Sequence, residues 1–338
     1  MPTETGAPST PRHHAVLEAL ATAPLLRELR ARLPKGSDHL TIGGNVGSAG
    51  SALTAALHEA NPGRIFVVVA TDPEHAARIE ADLESLLGTG APHLFPQTET
   101  RFYSDEEGDP RIDGLRVEAV EALLGGSGRL FVTTPRALQE RMAMPDRVAR
   151  LRLALSVGEE IGFSLLVEEM EAMGYRRVPL VEEVGQFSVR GGLLDIFSLG
   201  LSDPVRIEFW GDEVTSIRLF DVTDQRSNTK LTTVQLLPAS FRPSQGAGGP
   251  SVLRSFLEVL PTDTVLVGFE GAHWEEEFRK NWQQAEGIRS DREEGGESLA
   301  GPETLLLPAP AAADLVQGLP VLRITRERDH PLSLDASP

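Results

Sequence analysis

Two rhythms of apolar and polar positions divide the chain. Through about residue 145, short apolar runs alternate with helical patterns. Leu40 to Ile42 predicts a strand and Ala52 to Ala60 a helix; IFVVVA at 65–70 predicts a strand buried on both faces, since it is continuously apolar and rich in β-branched residues. Residues 73–87 then place Ala76, Ile79, Leu83, Leu86 and Leu87 on one helical face. Leu94 and Phe95 begin a short strand, Gly114 to Leu124 is helical, and Leu130 to Thr133 is a strand, with Pro135 at the first position of another helix. A further helical stretch over 13–33 precedes them. Strand and helix in alternation predict a parallel sheet with helices on both faces.

From about Val148 to Leu237 the period changes to two. A single helix (about 164–173) precedes alternating runs at Phe187 and Val189, Leu193 to Phe197, Val205 to Phe209, and Ile217 and Leu219. WGDEV at 210–214 is a turn signal, because Gly211 and Asp212 accept positive φ. After Leu237 the first style returns: residues 252–260 and 273–285 are expected to be helical and TVLVGF at 264–269 a buried strand, with 244–250 and 287–313 expected as loops or disorder. The division expected is an N-terminal tail and helix (1–34), an α/β domain in two parts (35–147 and 238–338), and a small antiparallel α+β domain (148–237) inserted between them.

Composition narrows the function. With 32 basic and 50 acidic residues the net charge is −18, which repels nucleic acid except at a local basic patch. The absence of cysteine removes thiol nucleophiles and Cys-based zinc sites and points to a reducing compartment, so a cytoplasmic location is expected. The eight histidines show no metal-ligand spacing; HEA at 58–60 lacks a second histidine, and GFEGAH at 268–273 offers only Glu270 and His273 where an acidic metal-site box would need more. No metal, cofactor or membrane span is expected.

GGNVGSAGSALT at 43–54 lies where a phosphate-binding loop would be, between a strand and a helix. Against G-x-x-x-x-G-K-[ST], Gly44 takes the first position, Ala49 the second glycine, Gly50 the lysine and Ser51 the hydroxyl, with Gly47 inside the loop. The cation that would neutralise the β and γ phosphates is missing. The loop therefore reads as a degenerate phosphate loop kept as scaffold, with a plain glycine-rich turn as the competing reading.

The segment 174–227 carries three ordered motifs: GQFSVRGGLLDIF at 185–197, PVRIEFWGDEVTSIRLFD at 204–221, and TDQRS after them. These resemble the UvrB-homology module at the N-terminus of the bacterial transcription-repair coupling factors, and less closely UvrB itself; weaker resemblance extends through FPQTETRFYSD (95–105) and VTTPRALQERM (132–142). The resemblance implies a helicase-like parallel-sheet domain, with the inserted domain as the surface that recruits UvrA. It places Arg177, with Arg176 adjacent, and Arg190 on that surface. UvrB has a further arginine where this chain has Ser188. Two departures from UvrB stand out. The phosphate loop lacks its lysine, and QTETRFYSDEEGDPRID, where UvrB inserts a tyrosine-rich hairpin into DNA, is short and acidic with one tyrosine.

Read from the residues alone, Arg190 alternates out of phase with Val189 and is expected to face solvent. Phe187 either packs inward or stands beside the arginines as an aromatic anchor. Arg206 and Arg218 are expected to pair with Glu208 or Glu213, Asp195 to bond backbone, and Arg176 and Arg177 to form either a solvated helix-end pair or the contact patch. Three functions follow: a non-catalytic UvrA-recruiting module, in which RNA polymerase and DNA are reached only through other regions of a longer coupling factor; a UvrB-like nucleotide-dependent DNA-processing protein; or a scaffold that binds only other domains of its own chain. The piece at hand reads as a fragment or a freestanding part of such a protein.

Overall fold

The computed structural model describes residues 12–104, 108–143, 152–240, 253–269 and 273–327. The first stretch of chain forms α1 (Arg12–Thr22), α2 (Pro24–Arg32), β1 (His39–Ile42), α3 (Ala49–Ala60), β2 (Phe66–Val69), α4 (Pro73–Leu87), β3 (His93–Phe95), α5 (Pro110–Gly125), β4 (Leu130–Thr133), α6 (Pro135–Gln139) and β5 (Arg141–Ala143). The middle forms β6 (Leu153–Ser156), α7 (Phe163–Ala172), β7 (Arg176–Arg177), β8 (Gln186–Arg190), β9 (Leu193–Ile196), β10 (Val205–Trp210), β11 (Glu213–Phe220), β12 (Ser227–Leu231) and β13 (Thr233–Leu236). The last stretch adds β14 (Leu253–Ser255), α8 (Phe256–Val259), β15 (Val265–Phe269), α9 (Trp274–Glu294), α10 (Ala309–Gln317) and β16 (Val321–Ile324).

Six of these strands make a parallel sheet in the order β1-β16-β15-β2-β4-β3. Side chains of a strand alternate faces, so the apolar runs supply two cores at once. Val67, Val69, Phe131, Leu266 and Val321 face α5, α6, α8, α9 and α10. Phe66, Val68, Leu130, Val132 and Val267 face α1 to α4. Helix starts are set locally: Asp72 accepts from His75 N at 2.8 Å ahead of Pro73, and Asp109 accepts from Arg111 N ahead of Pro110.

The second six-stranded sheet, β12-β11-β10-β9-β8-β7, is antiparallel except where β7 runs parallel to β8. Its inner face, including Phe187, Leu194, Ile207 and Ile217, packs with Leu166 and Met170 of α7. Gly211 takes φ +62° in the β10–β11 turn, as WGDEV predicts. This sheet meets the first at α5. A Cβ on Gly114 would stand 2.6 Å from Leu199, and Arg152 pairs with Glu121.

Three expectations are corrected. Residues 253–255 are a strand paired with β5, and the helix begins only at Phe256, because Ser255 and Glu258 close a reciprocal capping box there; Val252 lies outside the described residues. The stretch 287–313 is largely ordered: α9 runs to Glu294, a 3-10 turn spans Pro302–Thr304, and α10 opens with Pro310 in its first turn, so proline there starts a helix instead of breaking one. Finally, the helix expected over 13–33 is two helices, separated at Ala23 by Pro24. The linker expected at 244–250 lies outside the described residues.

Candidate functional site

The loop at 43–51 is a strand-to-helix turn in which four backbone N–H groups are bonded, two within the loop and two to the segment after β16. Gly44 and Gly47 take φ +80° and +57°, which their lack of a side chain permits. A phosphate loop must aim free backbone N–H groups at its ligand. Here Gly44 N donates to Glu327 O at 3.0 Å, Asn45 N to Thr325 O at 2.8 Å, Ala49 N to Val46 O at 3.2 Å and Gly50 N to the Asn45 side chain at 2.9 Å. Ser51 is buried within α3.

Phe269, at the end of β15, lies directly over Gly50: a Cβ built there would be 2.1 Å from the ring. A side chain at the position a lysine would need fits only if the Phe269 ring is displaced. Gly50→Lys is therefore expected to lower stability by about 1–3 kcal/mol through overpacking and to create no ATP-dependent rise in melting temperature. A variant as stable as the parent that gains such a rise would refute this account.

The second group of residues lies on β7 to β10. Tyr175, fixed just before β7, is buried with its hydroxyl 2.5 Å from Leu237 O and 2.8 Å from Ser198 Oγ; burial pushes its phenol pKa up. That anchor presents the next two residues outward. Arg176 and Arg177 are both exposed, on a strand and not at a helix end as one reading had it. Arg176 lies 3.7 Å from the Glu183 carboxylate, whereas Arg177 has no hydrogen-bond or ion-pair partner among the described residues.

Of the two placements expected for Phe187, the structure shows the inward one and not the aromatic anchor. Phe187 is 0% exposed, within the core beneath the sheet, and touches no solvent-facing surface. Its neighbours Gln186 and Ser188 are buried as well, and Ser188 donates to Pro179 O at 3.0 Å, so the crossing segment before β8 covers the face that simple alternation would leave open.

Arg190 is half-exposed and tied down: its guanidinium is 2.5 Å from Asp195. Asp195 is 1% exposed and binds no backbone in the way expected; it also takes Arg206 bidentately, at 2.7 and 2.8 Å. Register decides this, because Arg206 stands directly across from Asp195 in the β9–β10 pair, ahead of Glu208 or Glu213. Arg218 does pair with Glu208, at 3.2 Å. One residue of note was read only as part of a turn: Trp210, at the tip of the β10–β11 hairpin, is 82% exposed and flanks an open groove lined by Gly192, Leu193, Glu208 and Thr215. A tryptophan beside a hairpin turn is the sequence signal that points to it.

Glu270 lies outside the described residues, and no group of three metal-ligating side chains occurs among the described ones. No described helix is long and apolar enough to cross a membrane.

Comparison with known proteins places the second sheet first. Residues 153–241, which hold β7 to β12, match the family model of the UvrB interaction domain. Beyond it, the chain is similar to transcription-repair-coupling factors: 36% identical to that of Mycobacterium tuberculosis over 63% of this chain and 17% of the relative, 32% to that of Bacillus subtilis over 64% and 18%, and 37% to that of Myxococcus xanthus over 64% and 18%. The chain thus resembles the N-terminal part of the transcription-repair coupling factor, with residues 153–241 matching the UvrB interaction domain. It spans less than a fifth of the length of these relatives.

Proposed function

We propose that this chain is a non-catalytic, cytoplasmic module that recruits UvrA in transcription-coupled nucleotide excision repair. In this reading residues 148–237 form the inserted UvrA-binding domain, and residues 35–147 and 238–338 form a helicase-like scaffold whose phosphate loop has lapsed. The observation that carries it is the match of 153–241 to the UvrB interaction domain, with Arg177 exposed on that same sheet and without a side-chain partner among the described residues. A free guanidinium pairs readily with a partner carboxylate. Arg190, held in place by Asp195, offers a second one at little further entropic cost. The bonded N–H groups of Gly44, Asn45, Ala49 and Gly50 and the Phe269 ring over Gly50 support a scaffold role for the loop. RNA polymerase and DNA belong to regions outside this chain.

Purified UvrA binding to wild type, Arg177→Ala and the Arg177→Ala/Arg190→Ala double variant tests the reading. Each replacement is expected to weaken binding by about 2 kcal/mol or more, close to 30-fold, with the fold retained because Asp195 keeps its bidentate partner Arg206. A double variant that binds as tightly as wild type would overturn the site. Wild type that binds no UvrA would favour the intramolecular scaffold, and steady ATP turnover by the chain would favour the UvrB-like enzyme.

A further inference from the structure

A cavity of about 220 Å³ opens beyond the ends of β3 and β4, outside the second sheet and away from the loop at 43–51. Four arginines line it: Arg101, Arg116, Arg136 and Arg141. The facing carboxylates are Glu140 and Asp113 on its wall and Glu258 beside Arg141. In a chain of net charge −18 this is a local concentration of cations.

The guanidiniums are held rigidly, and donors remain over. Glu140 binds Arg116 at 2.5 Å and Arg136 at 2.8 Å, and it also accepts from Thr98 N and Oγ1. Arg136 is further fixed by Thr100 O at 2.8 Å and by the Phe102 ring beneath it, 4.4 Å from the guanidinium carbon. That leaves Nη1 of Arg136 and Nε and Nη2 of Arg116 without hydrogen bonds among the described residues. Arg141 donates to Glu303 O at 3.1 Å, yet its Nε is buried with no hydrogen-bond partner. Buried donors are almost always paired, and one left over beside a cationic cavity calls for an acceptor.

We infer that this cavity is a binding site for a small phosphate-type oxyanion, received by the unpaired donors of Arg116, Arg136 and Arg141 with Arg101 at the mouth. Fork-shaped guanidiniums suit tetrahedral oxyanions, which accept several N–H groups at once. The volume is below the roughly 300 Å³ at which drug-sized pockets begin, so the ligand is inorganic phosphate, pyrophosphate or a small phosphorylated compound.

Titration of the intact chain with phosphate and with pyrophosphate, at constant ionic strength set by chloride, tests it by calorimetry and by melting temperature. Binding is expected to raise the melting temperature with anion concentration. Arg141→Gln is expected to weaken binding about 10-fold and the rim variant Arg101→Gln about 3-fold. Arg226→Gln, an 86% exposed arginine in the turn between β11 and β12, is expected to leave it unchanged. No binding up to about 20 mM of either anion, or equal binding by wild type and Arg101→Gln, would overturn the site even if Arg141→Gln proved too unstable to measure.

Discussion

Glu140→Gln is expected to cost about 3–5 kcal/mol of folding free energy at neutral pH, one of the two largest single effects in the protein. The Glu140 side chain is 6% exposed and takes four hydrogen bonds, two of them from guanidiniums that are themselves 5% and 19% exposed. Removing its charge leaves both arginines facing each other in a partly dehydrated site, and the desolvation already incurred is no longer offset. Burial alone would raise the Glu140 pKa, but Arg116, Arg136 and the Thr98 hydrogen bonds outweigh burial and hold it below the usual carboxylate range. A depressed folded-state pKa means that this contribution is complete above the ordinary glutamate value, about pH 4.3, and is lost as pH falls through the lower folded value. Urea denaturation of wild type and Glu140→Gln at pH 7.5 and at progressively lower pH reads this directly. The gap between the two is expected to be wide at pH 7.5 and to narrow in acid; a constant gap, or none, contradicts the network.

Asp195→Ala is expected to be comparably damaging, about 3 kcal/mol, and for the same reason in a different sheet. Asp195 is the common counter-ion of Arg190 and Arg206, and Arg206 is 16% exposed over the Phe220 ring at 4.5 Å. Without Asp195, Arg206 is a charge in the middle of β10 with no carboxylate across the strand. Arg190→Ala removes only the half-exposed member of the trio, so its cost is expected to stay below about 1 kcal/mol. Thermal melts that reverse this order, with Arg190→Ala the more damaging, would show that Arg190 and not Arg206 carries the pair. The contrast also serves the proposed contact with UvrA, since it separates loss of a binding group from loss of the sheet that holds it.

Much of the fold was legible in local pattern. IFVVVA and TVLVGF announce strands buried on both faces because a parallel sheet covered by helices hides near-continuous apolar runs, and β2 and β15 pair at its centre. The change to period two at 187–219 marks the second sheet for a similar reason. Helix α9 was partly missed because it buries only Trp274, Phe278 and Ala285, so its last turns carry no apolar stripe and are held instead by pairs such as Arg289–Glu293. The exposed arginines of β7 were legible as a resemblance; the inward turn of Phe187 was not, since alternation gives two faces and does not say which one another segment will cover.

Periodicity and the missing lysine are properties of neighbouring residues, and these the chain states on its own: where most of the helices and strands of the two sheets form, and that the 43–51 loop lacks a lysine. Which groups are already occupied was settled only by packing. Phe269 closes the space above Gly50, Arg206 reaches Asp195 through strand register, and Glu140 gathers Arg116 and Arg136 from two helices. A hydrogen bond or ion pair is a relation between residues brought together from distant parts of the chain, and its strength depends on the water excluded around it, so neither can be read from the order of the residues.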